Sequence, residues 1–202
     1  TTKKMGVSGA LFDIEKLNDV SKNVISKMTA DEVYTLLADW AKQYDEPFYA
    51  LLSRDPAYTK AILSIGRGGK KPRKDITIWS EAKAYMDFFF DKLFQPDYTA
   101  YPENTVSDVK KILEEYAAVY DADDDSGQWF ERIKALSDKL GYAANMKDYK
   151  KNPDAYRGSV ADVSMVIRVA VTGRQNSPDM YDVMQVLGKE KVLERLRKAI
   201  EN

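Results

Sequence analysis

Neither cysteine nor histidine occurs anywhere in this sequence of 202 residues. The first absence excludes disulfides, thiolate metal sites and cysteine nucleophiles, and fits a reducing compartment. The second reaches further: it removes the commonest general base, the serine-histidine-aspartate arrangement and every histidine-containing metal site. Any catalysis would have to rest on carboxylates, lysine, tyrosine or arginine, so an independent enzyme is not expected, nor is a metal site. Long apolar runs are missing as well. No window approaches the roughly 18 consecutive apolar residues of a membrane span, and the opening TTKKMGVSGALFD lacks the apolar core of a secretory signal. A cytoplasmic protein without a membrane partner is expected. Charge of one sign is also lacking, since the net charge is -1, which argues against a globally basic nucleic-acid binder and against DNA.

What is present is a globular balance. With 44% hydrophobic and 31% charged residues, the chain can bury one large core or two small ones. Charge is unevenly placed. Arg67 to Lys74, RGGKKPRK, carries five positive charges and no negative one, and its glycines and proline forbid a regular helix. It reads equally as a solvated flexible loop or as one that contacts RNA phosphates through Arg67, Lys70, Lys71, Arg73 and Lys74. It lacks the spacing of a phosphate-binding loop. The acidic DADDDSG, Asp121 to Gly127, resembles the start of a calcium loop, but Ser126 stands where glycine is needed and Arg132 where the bidentate acid belongs. It reads as a solvated connection.

Helical periodicity prevails along the chain, predicting an all-α fold of eight to ten helices with no substantial sheet. Thr29 to Glu32 is a capping box, followed by Val33, Leu36, Leu37, Trp40 and Tyr44 at helical spacing, and that helix should end before Pro47. Asp55-Pro56 opens another, with Tyr58, Ile62, Leu63 and Ile65 buried and Gly66 as its stop. Trp79 to Phe94 reads as one core helix through Ala82, Met86, Phe89, Phe90 and Leu93. Thr105 to Tyr120 and Gly127 to Leu140 repeat the pattern, the latter through Trp129, Phe130, Ile133 and Leu136. The fold reads as one assembly or as two helical subdomains. A break is placed near Phe48 to Asp55 or across Gln95 to Asn104, the latter dividing the chain into residues 1–100 and 101–202.

Near the C-terminus, RVAVTGRQNSPDMYDVM raises the question of whether Arg168 and Arg174 flank a binding site. Ser159 reads as an N-cap, with Val163, Val166, Ile167, Ala170 and Val171 on one buried face and Ser164, Arg168 and Thr172 on another. Gly173 closes that helix, and Ser177-Pro178-Asp179 opens the next by the N-cap and N1-proline rule, with Met180, Val183, Met184 and Leu187 packing and Gly188 ending it. Such a turn is more often only a turn. Here, however, Arg168, Arg174, Gln175, Asn176 and the free N–H groups of the second helix could share one cleft suited to unpaired bases and phosphates.

DVSMVIRVAVTGRQNSPDMYDVMQVLGKEKVLERLRKAI, Asp162 to Ile200, resembles the C-terminal end of bacterial glutamyl-tRNA synthetases, where a Leu-Arg-x-Ala-Leu-Thr-Gly stretch precedes a proline-containing turn and a Leu-Leu-Gly-Lys-Glu helix. GALFDIEKLNDVSKNVI, Gly9 to Ile25, is similar to the segment that follows the catalytic part of that family. The resemblance implies an all-helical anticodon-binding and stem-contact part of a glutamate-tRNA ligase, with glutamate tRNA as partner and glutamine tRNA as a further candidate, acting as a monomer. The catalytic half, with its ATP and magnesium, is not represented: the sequence has no His-Ile-Gly-His signature, and Lys4-Met5 continues as Gly6-Val7-Ser8. The chain alone is therefore expected to be catalytically silent and to need no cofactor. Position by position, Arg168 matches the family's anticodon-reading arginine, and Ser177, Pro178, Asp179 and Met180 match the turn that contacts the bases. Arg67 is the candidate for a second base-reading arginine. Asp179 departs from the pattern, which often has a small residue there. The competing reading is a helical protein-protein interaction module without RNA binding.

Overall fold

The structure is a computed structural model and describes residues 13–202; the readings at Lys4 to Ser8 and over Gly9 to Phe12 lie outside them. Eleven α-helices run through the described residues, one more than the upper end of the sequence expectation. No strand accompanies them, only an isolated parallel bridge between Ala143 and Ser159.

Local capping chemistry sets most boundaries. α1 (Ile14–Lys27) starts at Asp13, whose carboxylate accepts from the N–H groups of Glu15 and Lys16. α2 (Ala30–Tyr44) starts with the Thr29/Glu32 capping box. Asp45 and Asp55 cap α3 (Glu46–Arg54) and α4 (Pro56–Ser64), each with a proline in its first turn. α5 spans Trp79–Met86. α6 (Val109–Val119), α7 (Ser126–Lys139) and α8 (Met146–Lys151) follow, and α9 (Val160–Thr172), α10 (Met180–Leu187) and α11 (Lys189–Glu201) complete the chain.

Several expectations need correction. The helix expected from Trp79 to Phe94 stops at Met86 and passes through a short 3₁₀ turn. Phe88, Phe89 and Phe90 are all buried. The Arg195 side chain reaches in from α11 to the Phe88 carbonyl, and Arg174 from the turn after α9 to the Ala84 carbonyl. Leu36, Tyr44 and Phe130 fall at helical spacing yet are exposed. The acidic segment is not simply solvated: Asp124 is buried under Arg132, and Asp125 caps α7.

Two apolar clusters form the interior. One gathers α2 to α5 around Val33, Leu37, Phe48, Leu52, Ile62 and Phe88. The other gathers α6, α7, α9, α10 and α11 around Ile112, Tyr116, Ile133, Ile167, Met184 and Leu196. α10 serves both, since Val183 packs into the first cluster while Met180 and Met184 pack into the second. Arg195 of α11 is a further link. Its side chain is only 2% exposed, donates to the carbonyls of Val171 (2.7 Å) and Phe88 (2.6 Å), and lies 3.9 Å from the centre of the Phe94 ring.

Candidate nucleic-acid interface

The turn between α9 and α10 is fixed from both sides. Gly173 adopts φ +71°, and a Cβ there would lie 2.5 Å from the Pro96 Cα, so only glycine fits against that backbone. The Gly173 carbonyl accepts from the Asp97 N–H at 3.1 Å. Thr172 Oγ1 donates to the carbonyls of Arg168 and Arg174. Ser177 does not cap α10, as its sequence position suggested; Asp179 does, accepting from the Asp182 N–H. Ser177 is buried and faces Arg168 instead. The acidic residue that departs from the family pattern therefore has a helix-capping role.

Arg168 reaches across the turn. Its Nη1 donates to the carbonyls of Ser177 (3.2 Å) and Pro178 (3.1 Å) and to Ser177 Oγ. Among the described residues its Nε and Nη2 have no hydrogen-bond partner. The side chain lines a cavity of about 440 Å³ together with Trp129, Phe130, Ser164, Asp179 and Met180. Burial lowers the guanidinium pKa while Asp179 opposes that shift. The guanidinium is a planar fork with Nη1 held by the turn and its other N–H groups without a protein acceptor among the described residues.

Arg174 lies elsewhere. It donates to the Ala84 carbonyl at 3.0 Å, pairs with Asp87 and stacks 4.8 Å from the Phe88 ring centre. It borders a second cavity of about 280 Å³ with Arg73, Asp75, Tyr85, Asn176, Ser177 and Pro178. The single cleft expected from the sequence is thus two cavities: residues 176–178 line one, and Asp179 and Met180 line the other. Gln175 is exposed, with Nε2 donating to the Ala100 carbonyl.

The basic run divides in the same way. Arg67 is half-buried and holds the carbonyls of Leu63 and Ile25, each at 2.6 Å, so it ties the loop to α1 and α4. Arg73 is paired bidentately with Asp75. Lys70, Lys71 and Lys74 are exposed and form no ion pair among the described residues. Sequence reasoning assigned Trp129 and Phe130 to the core; Trp129 does pack against the second cluster, but both also line the Arg168 cavity, and Phe130 is 37% exposed.

The family whose description is anticodon binding domain matches residues 154–200, which contain the whole α9 to α10 turn. The glutamate-tRNA ligase of Acetivibrio thermocellus is 47% identical to this chain over 198 residues, covering 98% of the chain and 36% of that protein. The chain matches the anticodon-binding part of glutamate-tRNA ligases along nearly its whole length. The ligase of Sorangium cellulosum is 43% identical over 195 residues, covering 96% of this chain and 34% of its own length. The chain thus spans about a third of the length of the relatives it matches, as their anticodon-binding part. A solved glutamate tRNA ligase from Elizabethkingia meningosepticum, in complex with its amino acid, shares the fold at a TM-score of 0.64 and 18% identity, covering 100% of this chain and 35% of that one. No helix among the described residues is long and apolar enough to cross a membrane.

Proposed function

We propose that this chain binds the anticodon loop of glutamate tRNA as a cytoplasmic monomer, and that Arg168 reads a base there. The observation that carries the reading is the Arg168 guanidinium, anchored by Nη1 within the matched stretch, with Nε and Nη2 unpaired among the described residues and its side chain lining an open cavity. Base edges offer the paired acceptors that such a fork prefers. Ser177 and Pro178 hold the arginine, Asp179 and Met180 form the wall beside it, and Arg174, Gln175 and Asn176 shape the neighbouring face. Lys70, Lys71 and Lys74 supply phosphate contacts without base reading.

The chain contributes binding and no chemistry of its own. ATP and magnesium belong to the portion of the relatives that it does not cover. Incubation with ATP, glutamate and tRNA should give no charged product, and charging by the purified chain would refute this part.

Titration with glutamate tRNA, glutamine tRNA and an unrelated tRNA across a salt series tests the binding. A steep salt slope with preference for glutamate tRNA is expected, and the glutamine arm reports how far the preference extends. A protein-binding module is the second reading, favoured by the exposed Ile14, Leu17, Val20 and Val24 of α1. It predicts neither salt slope nor discrimination.

A further inference from the structure

We propose that Trp129 and Phe130 form a platform on which one unpaired base of the bound RNA stacks, with its edge turned toward Arg168 and Asp179. The inference rests on the anticodon-binding reading and names the ligand of the larger cavity.

Charge around that cavity selects a base over a phosphate. Its walls carry one guanidinium, from Arg168, and two carboxylates, from Asp179 and from Glu131, the latter paired with Lys134 at 2.6 Å. A phosphate would meet no net positive charge. A neutral base meets donors on Arg168 and, on Asp179, a second carboxylate oxygen that has no hydrogen-bond partner among the described residues. Every Watson–Crick edge carries both an acceptor and an N–H, so such an edge is complementary to this pair. The smaller cavity is less suited, because its cations are already taken: Arg73 pairs with Asp75 and Arg174 with Asp87.

The aromatic pair is built to receive a flat ligand. The Trp129 indole N–H donates to the Tyr116 hydroxyl at 2.9 Å, which fixes the ring before anything binds. Phe130 stands beside it, with ring centroids 6.4 Å apart and planes 34° apart, and Lys134 Nζ lies 5.0 Å from the Phe130 ring centre. Phe130 is left exposed although hydrophobic burial would favour turning it inward. The cavity of about 440 Å³ falls in the range of small-molecule sites.

The test uses the whole chain with glutamate tRNA and with a set of the same tRNAs, each made abasic at one anticodon-loop position. Phe130→Ala should weaken intact tRNA by about 5- to 150-fold, the range expected for losing one base-aromatic stack. At one abasic position the variant and the unaltered protein should bind alike, because the partner of Phe130 is already gone. Phe130→Tyr should bind as the unaltered protein does, whereas Phe130→Leu, which keeps the apolar bulk, should weaken binding. This pair decides the matter if the alanine variant melts early. Unchanged affinity of Phe130→Ala and Phe130→Leu for a tRNA that the unaltered protein binds would overturn the platform and leave anticodon binding intact. Equal loss at every abasic position would also overturn it. No binding by the unaltered protein would instead remove the anticodon reading and this inference with it.

Discussion

Arg168 donates from a single nitrogen, Nη1, to the carbonyls of Ser177 and Pro178, so the turn between α9 and α10 and the arginine beside the cavity hold one another in place. The consequence is a division of labour within one side chain. One prong satisfies the Ser177 carbonyl and joins the Ser177 hydroxyl in donating to that of Pro178, and the remaining N–H groups are available for a ligand.

Arg168→Lys tests that division. A lysine ammonium can replace Nη1 at the carbonyls, but it then has no planar second edge for a base. The fold and net charge should survive. Affinity for glutamate tRNA should fall by roughly 1–3 kcal/mol, by analogy with bidentate base contacts in DNA. A tRNA with altered anticodon bases should lose much less on the same substitution. The four affinities form a double-mutant cycle, and a coupling near zero would mean that Arg168 holds the turn without reading the anticodon.

The basic loop should separate into two behaviours. Replacing Lys70, Lys71 and Lys74 with alanine removes exposed charges that have no ion-pair partner among the described residues. All tRNAs should be weakened alike, and the slope of log K against log salt should flatten by roughly 0.7–0.9 for each phosphate no longer neutralised. Selective loss for glutamate tRNA would assign base reading to the loop. Arg67→Ala should act on the fold instead, because it cuts the ties from the loop to the carbonyls of Ile25 and Leu63, the first of which keeps only the Met28 N–H. A lowered melting temperature with little change in salt slope is the expected contrast.

How much of this was legible in the sequence depended on the range of the interactions. The caps at Thr29, Asp55 and Ser159 and the stop at Gly173 arise within a few residues, and all were readable. The end of α5 at Met86 was not, because Arg174 and Arg195 reach the carbonyls of Ala84 and Phe88 from distant parts of the chain. The turn around Arg168 was visible as a candidate, but its division into two cavities was hidden for the same reason: the partners of Arg174 lie 87 and 90 positions away. Asp179 and Ser177 show a subtler failure. Both are good capping residues two positions apart, and the choice between them is settled by Arg168, which engages Ser177 from the preceding helix.

Arg195 predicts a link between the two apolar clusters. It satisfies Val171 and Phe88 from α11, so Arg195→Met keeps an unbranched apolar stem while leaving two buried carbonyls without a donor. Each stranded carbonyl should cost roughly 1–3 kcal/mol. Chemical denaturation should show the loss as a lower midpoint. If the midpoint were unchanged, the buried guanidinium would not be what joins α11 to Phe88.

The last prediction follows from the missing histidines. No side chain here has its ordinary titration near neutrality, so folding stability should vary little with pH between roughly 5 and 9. The alkaline limb comes from tyrosines. Burial raises Tyr58 and Tyr85 from 10.0 to about 12, so the folded state holds those protons more tightly than the unfolded chain. Their contribution is complete below pH 10 and is lost as pH rises toward 12. The acid limb has the opposite sign. Hydrogen bonds from Lys198 and Lys191 depress Glu194 from 4.5 to about 2, and a hydrogen bond from Lys83 lowers Asp45, so these contributions are present above their ordinary pKa values and vanish as pH falls through the lowered ones. Asp182, raised by burial, works against that limb, since it favours the folded state when protonated. Urea midpoints measured from pH 3 to pH 11 should therefore trace a broad plateau with two shoulders. Tyr85→Phe should shallow the alkaline shoulder and leave the acid one untouched, and a step near pH 6.5 would show that a group outside this account controls stability.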